Sequence, residues 1–300
     1  MTNTNKNTLT FAHLTDAHLP LHGAFRAREL AGKRAFSALN WKRKRHRAHL
    51  RRVVDAVTAD IAAYNPDHIA MTGDAVNFGL PREFEGAAEW LSGLGAPKDV
   101  SFVPGNHEAI MPGVAEARDK AYHPFITGDD GVAGFPYVRR RGPVAFIGVS
   151  TCISTTYFLA QGAVGSVQLQ ALEQALNDTR GLCRIILIHH PPSGPCKRRK
   201  HLRDKAAFAA VLARAGAELV LHGHNHRAQM SWIDGATGRV PVIGSPSASI
   251  GPGFHDDLAE WRQMTVQRAA EGFSVDMLRR RLTGDGALED YGQYRMMVGE

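Results

Sequence analysis

Cysteine is scarce in this chain. Three occur in 300 residues, Cys152, Cys183 and Cys196, with no CxxC spacing. So sparse and odd a set excludes a disulfide-stapled scaffold and suits a reducing cytoplasm. Long apolar runs are also missing: none approaches the roughly 20 residues that span a bilayer. The start, MTNTNKNTLTFAHL, is polar and lacks the apolar region of a secretory signal, so a cytoplasmic protein is expected. There is no internal repeat and no low-complexity linker. Acidic residues fall short of basic ones, 29 against 36, for a net charge of +7. That balance favours an anionic partner: nucleic acid, a phosphate-bearing substrate or an acidic membrane surface. What is present is ample apolar content, 44%, enough for a sizeable core in one large domain or two small ones.

Strand and helix patterns alternate over the first two thirds. Leu9–Leu14, Asp67–Met71, Val100–Val103, Tyr137–Arg139, Val144–Val149 and Arg184–Ile188 read as strands. A helix is expected from His46, with Leu50, Val53, Val54, Val57 and Ile61 on one face and Asn65-Pro66 as its stop. Further helices are expected at Glu83–Leu91, Ser166–Leu176 and Lys205–Ala213. Later, Gln229–Ile233 and Val240–Ile243 suggest a hairpin, and Trp261–Val266 and Phe273–Leu278 two closing strands. This order predicts a mixed α/β sandwich in one domain over residues 1–285, with 286–300 a peripheral tail.

Five polar clusters follow apolar strand-like runs: Asp16-x-His18, Gly73-Asp74, Gly105-Asn106-His107, His189-His190-Pro191 and Gly223-His224-Asn225-His226. Open α/β sheets place their sites at strand C-termini. Any one Asp or His there could simply cap a turn. Burying all of them without a cation would cost several kcal/mol in unpaired polar groups. A metal pair removes that cost, and oxygen and imidazole donors without thiolate suit Mn, Fe or Zn.

The set DxH, GD, GNH, H and GHxH resembles the calcineurin-like metallophosphoesterase superfamily over about residues 9 to 245. The resemblance implies a four-layer α/β/β/α sandwich of two mixed sheets and a dinuclear centre. Asp16, His18 and His226 would hold one divalent ion, Mn2+ foremost with Fe or Zn as alternatives. Asn106, His189 and His224 would hold the other, and Asp74 would bridge them. His107 would support the transition state or protonate the leaving oxygen. Asn77 is expected to touch substrate, or else to serve as a loop amide, and His190 to contact substrate or to orient a neighbouring ligand. His13 and His68 should be packed within strands, and His22, His46, His49, His123, His201 and His255 should lie at the surface or in loops.

The substrate must be sought in an insertion at about residues 20–45, where Phe25, Phe36 and Trp41 interleave with Lys42-Arg43-Lys44-Arg45. Trp41, Lys42, Arg43, Lys44 and Arg45 are expected to form an anion- or membrane-facing surface. RELAGKR, NWKRKR, NPDHIAMTGD and GSPSASIGPG are similar to a bacterial subgroup that includes phospholipases C of phosphate-starved cells. That similarity implies hydrolysis of membrane phospholipids to diacylglycerol by a cytoplasmic enzyme, peripheral at the inner membrane surface. A cyclic-nucleotide phosphodiesterase, a nuclease and a non-enzymatic nucleic-acid-binding or scaffold protein are the alternatives.

Overall fold

The structure, a computed structural model, describes residues 7–30, 32–254 and 257–299. The first half runs β1 (Thr8–Leu14), α1 (Gly32–Asn40), α2 (His46–Ala48), α3 (Arg51–Tyr64), β2 (His68–Met71), α4 (Pro81–Leu94), β3 (Val100–Phe102), α5 (Ala115–Tyr122), β4 (Tyr137–Arg141) and β5 (Val144–Gly148). The second runs α6 (Ser166–Asp178), β6 (Cys183–Leu187), α7 (Lys205–Ala215), β7 (Leu219–His222), β8 (Gln229–Asp234), β9 (Arg239–Gly244), β10 (Glu260–Arg268), β11 (Phe273–Leu282) and β12 (Leu288–Val298).

These strands form two mixed six-stranded sheets, ordered β12-β11-β10-β1-β2-β3 and β4-β5-β6-β7-β9-β8. Strand alternation divides the apolar side chains between two cores. Phe146, Ile185 and Leu221 face the space between the sheets, where Phe146 meets Phe11 edge-on at 5.1 Å. Their neighbours Ile147, Ile186 and Val220 face outward and pack with Leu172 of α6 and Phe208 and Leu212 of α7. The first sheet is backed by α3, whose Val53, Val54, Val57 and Ile61 are all buried. Burial of each is worth about 1.5–3 kcal/mol. The result is the α/β/β/α order expected from the sequence motifs.

β1, β2 and β3 run parallel, as do β5, β6, β7 and β9. Their C-terminal ends therefore gather at one edge of the sandwich, which positions the site. No helix among the described residues is long and apolar enough to cross a membrane.

Two expectations need correction. The helix from His46 is broken: Leu50 is extended and α3 begins at Arg51. The break comes from tertiary pairing, with Leu50 N–H donating to Ser249 O at 2.9 Å and His49 bridging to Ile250. The final residues are also more than a tail. Leu288–Val298 pairs along the length of β11 as an edge strand and brings Val298 into the core.

Candidate metal centre

Each strand-end motif follows its strand by a residue or two, so the clusters converge once the parallel strands are aligned. Backbone bonds tie them together: Asp16 N–H donates to Gly73 O and His18 N–H to Asp74 O. Asp16, His18, Asp74, His224 and His226 all have positive φ, between 43° and 69°. Among the described non-glycine residues only Asn65 and Phe158 share that conformation. Left-handed backbone costs an L-residue roughly 1 kcal/mol or more, and its concentration at one place points to a functional constraint. The conformation folds each short polar segment back on itself and turns its side chain toward a common centre.

In that centre the imidazole nitrogens face one another. His18 Nε2 lies 3.2 Å from His226 Nε2, which lies 3.0 Å from Asp16 Oδ1. On the other side, His189 Nε2 lies 3.2 Å from His224 Nδ1 and 3.3 Å from Asp74 Oδ2. The opposite nitrogens are held by carbonyls. His18 Nδ1 donates to Val76 O, His189 Nδ1 to Thr72 O and His224 Nε2 to Lys200 O. These bonds fix the tautomers and leave His18 Nε2, His189 Nε2 and His224 Nδ1 with lone pairs aimed inward, as metal ligands need. Asn106 Oδ1 is buried and has no hydrogen-bond partner among the described residues, as a ligating oxygen would be.

The electrostatics also call for a cation. Burial opposes charge on His189, yet Asp74 outweighs it and lifts the ring to about 9, so Nε2 binds a proton that a divalent ion would displace to use the lone pair. Burial would raise the Asp74 carboxyl, but His189 and His107 hold it far below the usual carboxylate range. The pocket thus keeps its anion and draws positive charge to the atoms that would ligate a metal. The donor set of N and O atoms fits two divalent ions without thiolate. Among the described residues three groups have donor atoms within 4.8 Å of one another: Asp74, His189 and His224; His18, Asp74 and His107; and His18, His49 and His226.

His107 sits at the mouth. Its backbone N–H donates to Asp74 Oδ1 and its Nδ1 to Asn77 O, so Nε2 faces the cleft. Burial holds its pKa down to about 4, with Asp74 opposing and Arg45 adding to the fall. The resting ring is therefore neutral.

Several expected site residues lie elsewhere. Asn77 is buried, and its amide donates to the carbonyls of His18 and Leu19, so it holds a loop rather than meeting a ligand. His190 is fully buried between Thr151 Oγ1 and Ala160 O, its ring 4.3 Å from that of His224, so it props a neighbour instead of touching substrate. Trp41 is half-buried against Phe78 and stacks over His49. Lys42, Arg43 and Lys44 are exposed, as a surface patch requires, but Arg45 turns inward. His49, expected at the surface, is buried beside His18 and His226. His255 lies outside the described residues.

Two contributors escaped the sequence reading. Glu108 accepts backbone N–H groups from Asp74, Ala75, Val76 and Gly105, fastening the Asp74 loop to the Asn106 loop. Only its position directly after the GNH motif could have hinted at this. Ser247 and Ser249 donate to Asp16 O, so the GSPSASIGPG segment buttresses Asp16. Glycine clears the remaining space: a Cβ at Gly223 would collide with Thr15 Oγ1 and Asp16 Oδ2.

Comparison with known proteins agrees with this geometry. The Caenorhabditis elegans protein F40B5.2, described as a metallophosphoesterase, is 50% identical over 54 residues, 18% of this chain and 11% of that protein. The fold resembles a purple acid phosphatase of yellow lupin, with a TM-score of 0.57 and 11% identity, covering 97% of this chain and 54% of the other. It also resembles GAP50 of Plasmodium, the anchor in the inner membrane complex, with a TM-score of 0.53 and 11% identity over 98% and 90% of the two chains. The chain thus spans about half the length of the lupin enzyme and a ninth of the worm protein. At such identities the solved structures speak for the fold alone. The family model for calcineurin-like phosphoesterases matches residues 9–228, most of the chain, and with the two mixed sheets and the converged strand-end motifs this protein belongs to the calcineurin-like phosphoesterase family.

Proposed function

We propose that this phosphoesterase is a phospholipase C-type phosphodiesterase, with Asp16, His18 and His226 holding one metal, Asn106, His189 and His224 the other, and Asp74 between them. The observation that carries the reading is the cleft above the centre, about 600 Å³ in volume. Its walls combine apolar Phe36, Leu39, Tyr157 and Phe158 with cationic Arg43 and Arg199, and Asp74 is the only carboxylate among its described lining residues. Phe158 is 73% exposed at the rim. A rim both greasy and basic suits a ligand that is itself apolar and anionic, and a lipid phosphodiester at an anionic surface is one.

The bound metals would supply an activated hydroxide and neutralise phosphoryl charge. The chain supplies the rest. The carbonyls of Val76, Thr72 and Lys200 hold three imidazoles in register. His107 Nε2 faces the cleft, where it meets the leaving oxygen of the diacylglycerol. Burial is the main cause that keeps the ring neutral, and a phosphodiester anion lying between His107 and Arg45 works against it by adding negative charge and offsetting Arg45, which favours the ring carrying the proton this oxygen requires.

The test is a substrate panel with added manganese: phosphatidylcholine and phosphatidylglycerol in mixed micelles, cyclic AMP, and single-stranded DNA. Phospholipid should yield diacylglycerol. Turnover of cyclic AMP alone, or of DNA alone, sinks the lipid assignment.

A further inference from the structure

The basic insertion is more than a cover over the core. Its first part is pinned in place: Lys33 Nζ donates to Thr155 Oγ1 and Leu159 O, and Arg34 donates to the carbonyls of Phe78 and Gly79. Phe25 and Trp41 then clamp the Phe78 ring, with centroids at 4.8 and 5.8 Å. From Trp41 to Arg45 the helix widens into a π-turn, closed by His46 N–H on Trp41 O. Such single wide turns inside helices are frequent at functional sites. Trp41, Arg45 and His49 are spaced four apart, so one face of this helical stretch meets the metal centre.

Arg45 reaches furthest. Its Nη1 lies 3.1 Å from His107 Nε2 and its Nη2 3.0 Å from His18 Nε2. Both rings already donate from Nδ1 to carbonyls, so the guanidinium meets their cleft-facing nitrogens. The described ion pairs give Arg45 no carboxylate partner, though Asp16 and Asp74 act on it at longer range. A seat for it is built from the far end of the sequence. His49 Nε2 lies 3.4 Å from Nη2, and His49 Nδ1 is 2.8 Å from Ser249 Oγ, which donates to Asp16 O. The Trp41 ring lies nearly parallel to His49, at 12°. A deeply placed arginine without a paired carboxylate is expensive unless a ligand anion completes it.

We propose that Arg45 is a substrate-contacting catalytic residue, its guanidinium fork receiving two non-bridging oxygens of the phosphoryl group held between the metals and His107. The planar fork matches phosphate oxygens two at a time, which a lysine ammonium cannot do. Charge that builds on those oxygens in the transition state strengthens the contact, so Arg45 acts on turnover as well as on binding. The insertion is therefore part of the catalytic apparatus, and its remaining exposed cations are left for the surface.

The inference rests on the phosphoesterase chemistry of the site and is independent of the lipid assignment. It is tested with the full chain loaded with manganese, using bis-p-nitrophenyl phosphate for turnover, inorganic phosphate for binding by calorimetry, and elemental analysis for metal. Arg45→Met should keep both metals, lose about 10²–10³-fold in kcat/KM as removal of one oxyanion donor does, and bind phosphate at least about 10-fold more weakly. Arg45→Lys, which keeps charge and length should the first variant fold poorly, should recover only part of each loss. Unchanged phosphate affinity in either variant overturns the proposal. So does loss of metal together with activity, which would make Arg45 a prop for His18 instead. A wild-type protein that cleaves no lipid, with Arg45 variants that still lose phosphate, would defeat the lipid reading and leave this one standing.

Discussion

Gly105→Ala isolates the contact on which the position of the Asp74 carboxylate depends. Gly105 has no left-handed backbone to protect, since it is absent from the positive-φ glycines. An added methyl meets atoms alone: Asp74 Oδ1, Asp74 N at 2.8 Å and the His189 ring at 2.8 Å. Carbon needs roughly 3.5 Å from such neighbours. Asp74 N is backbone held by Glu108 at 3.1 Å, and His189 is fixed by Thr72 O at 2.7 Å, so neither yields cheaply. Asp74 would have to swing away and give up the N–H of His107, a charge-assisted bond worth about 1.5–3 kcal/mol. Overpacking adds about 1–3 kcal/mol. The sum, about 3–6 kcal/mol, is a large share of the stability of an ordinary domain. Urea unfolding should read that loss, and an Asp74 carboxylate moved by about 1 Å should lower diester turnover by about 10²-fold or more. Gly86→Ala is the matched control. It lies in the middle of α4, where a methyl meets only His22 at 4.0 Å, and it should stabilise by about 0.5–1 kcal/mol. If Gly105→Ala costs less than about 1 kcal/mol and keeps its metal content, the steric argument is wrong.

Glu83 offers a pH test. Burial lifts its carboxyl from 4.5 to about 7, against backbone N–H donors from Leu80, Asn77 and Phe78. The folded state therefore holds this proton where the unfolded chain has released it. Its contribution is full below 4.5 and is lost as pH rises through about 7, on the order of 3 kcal/mol in all. The stability difference between wild type and Glu83→Gln should shrink by that amount across the window in urea titrations, and a constant difference would refute it. Neutralising Lys42 and Lys44, both exposed, should weaken binding to anionic liposomes by about 1 kcal/mol each, or about 30-fold together. It should leave hydrolysis of a small soluble diester intact, and equal loss on both substrates would contradict a surface role.

The sequence by itself determined the strand-end motifs and the sheets that carry them. Each motif is local: an apolar strand, a small residue or glycine, then Asp, Asn or His within a few positions, as in Met71 to Asp74 or Leu221 to His226. Parallel strands bring such endings to one edge without further instruction, so five weak signals add up to one site. The directions of side chains in the connecting segments were beyond its reach. Arg45 and Lys44 look alike in the sequence, yet one reaches His107 and the other faces solvent. His49 looked like another basic-segment histidine until Ser249, 200 positions away, paired with it and broke the helix expected to run through it. Asn77 seemed free to meet substrate until the carbonyls of His18 and Leu19 arrived beside it. In each case the deciding partner lies far along the chain and is brought close by tertiary structure: β1, β2 and β3 pair side by side and bring the loops of His18, Asn77 and His107 together, and the segment after β9 returns Ser249 to His49. A residue's type and spacing record what it can do; which neighbour it does it with is settled by packing.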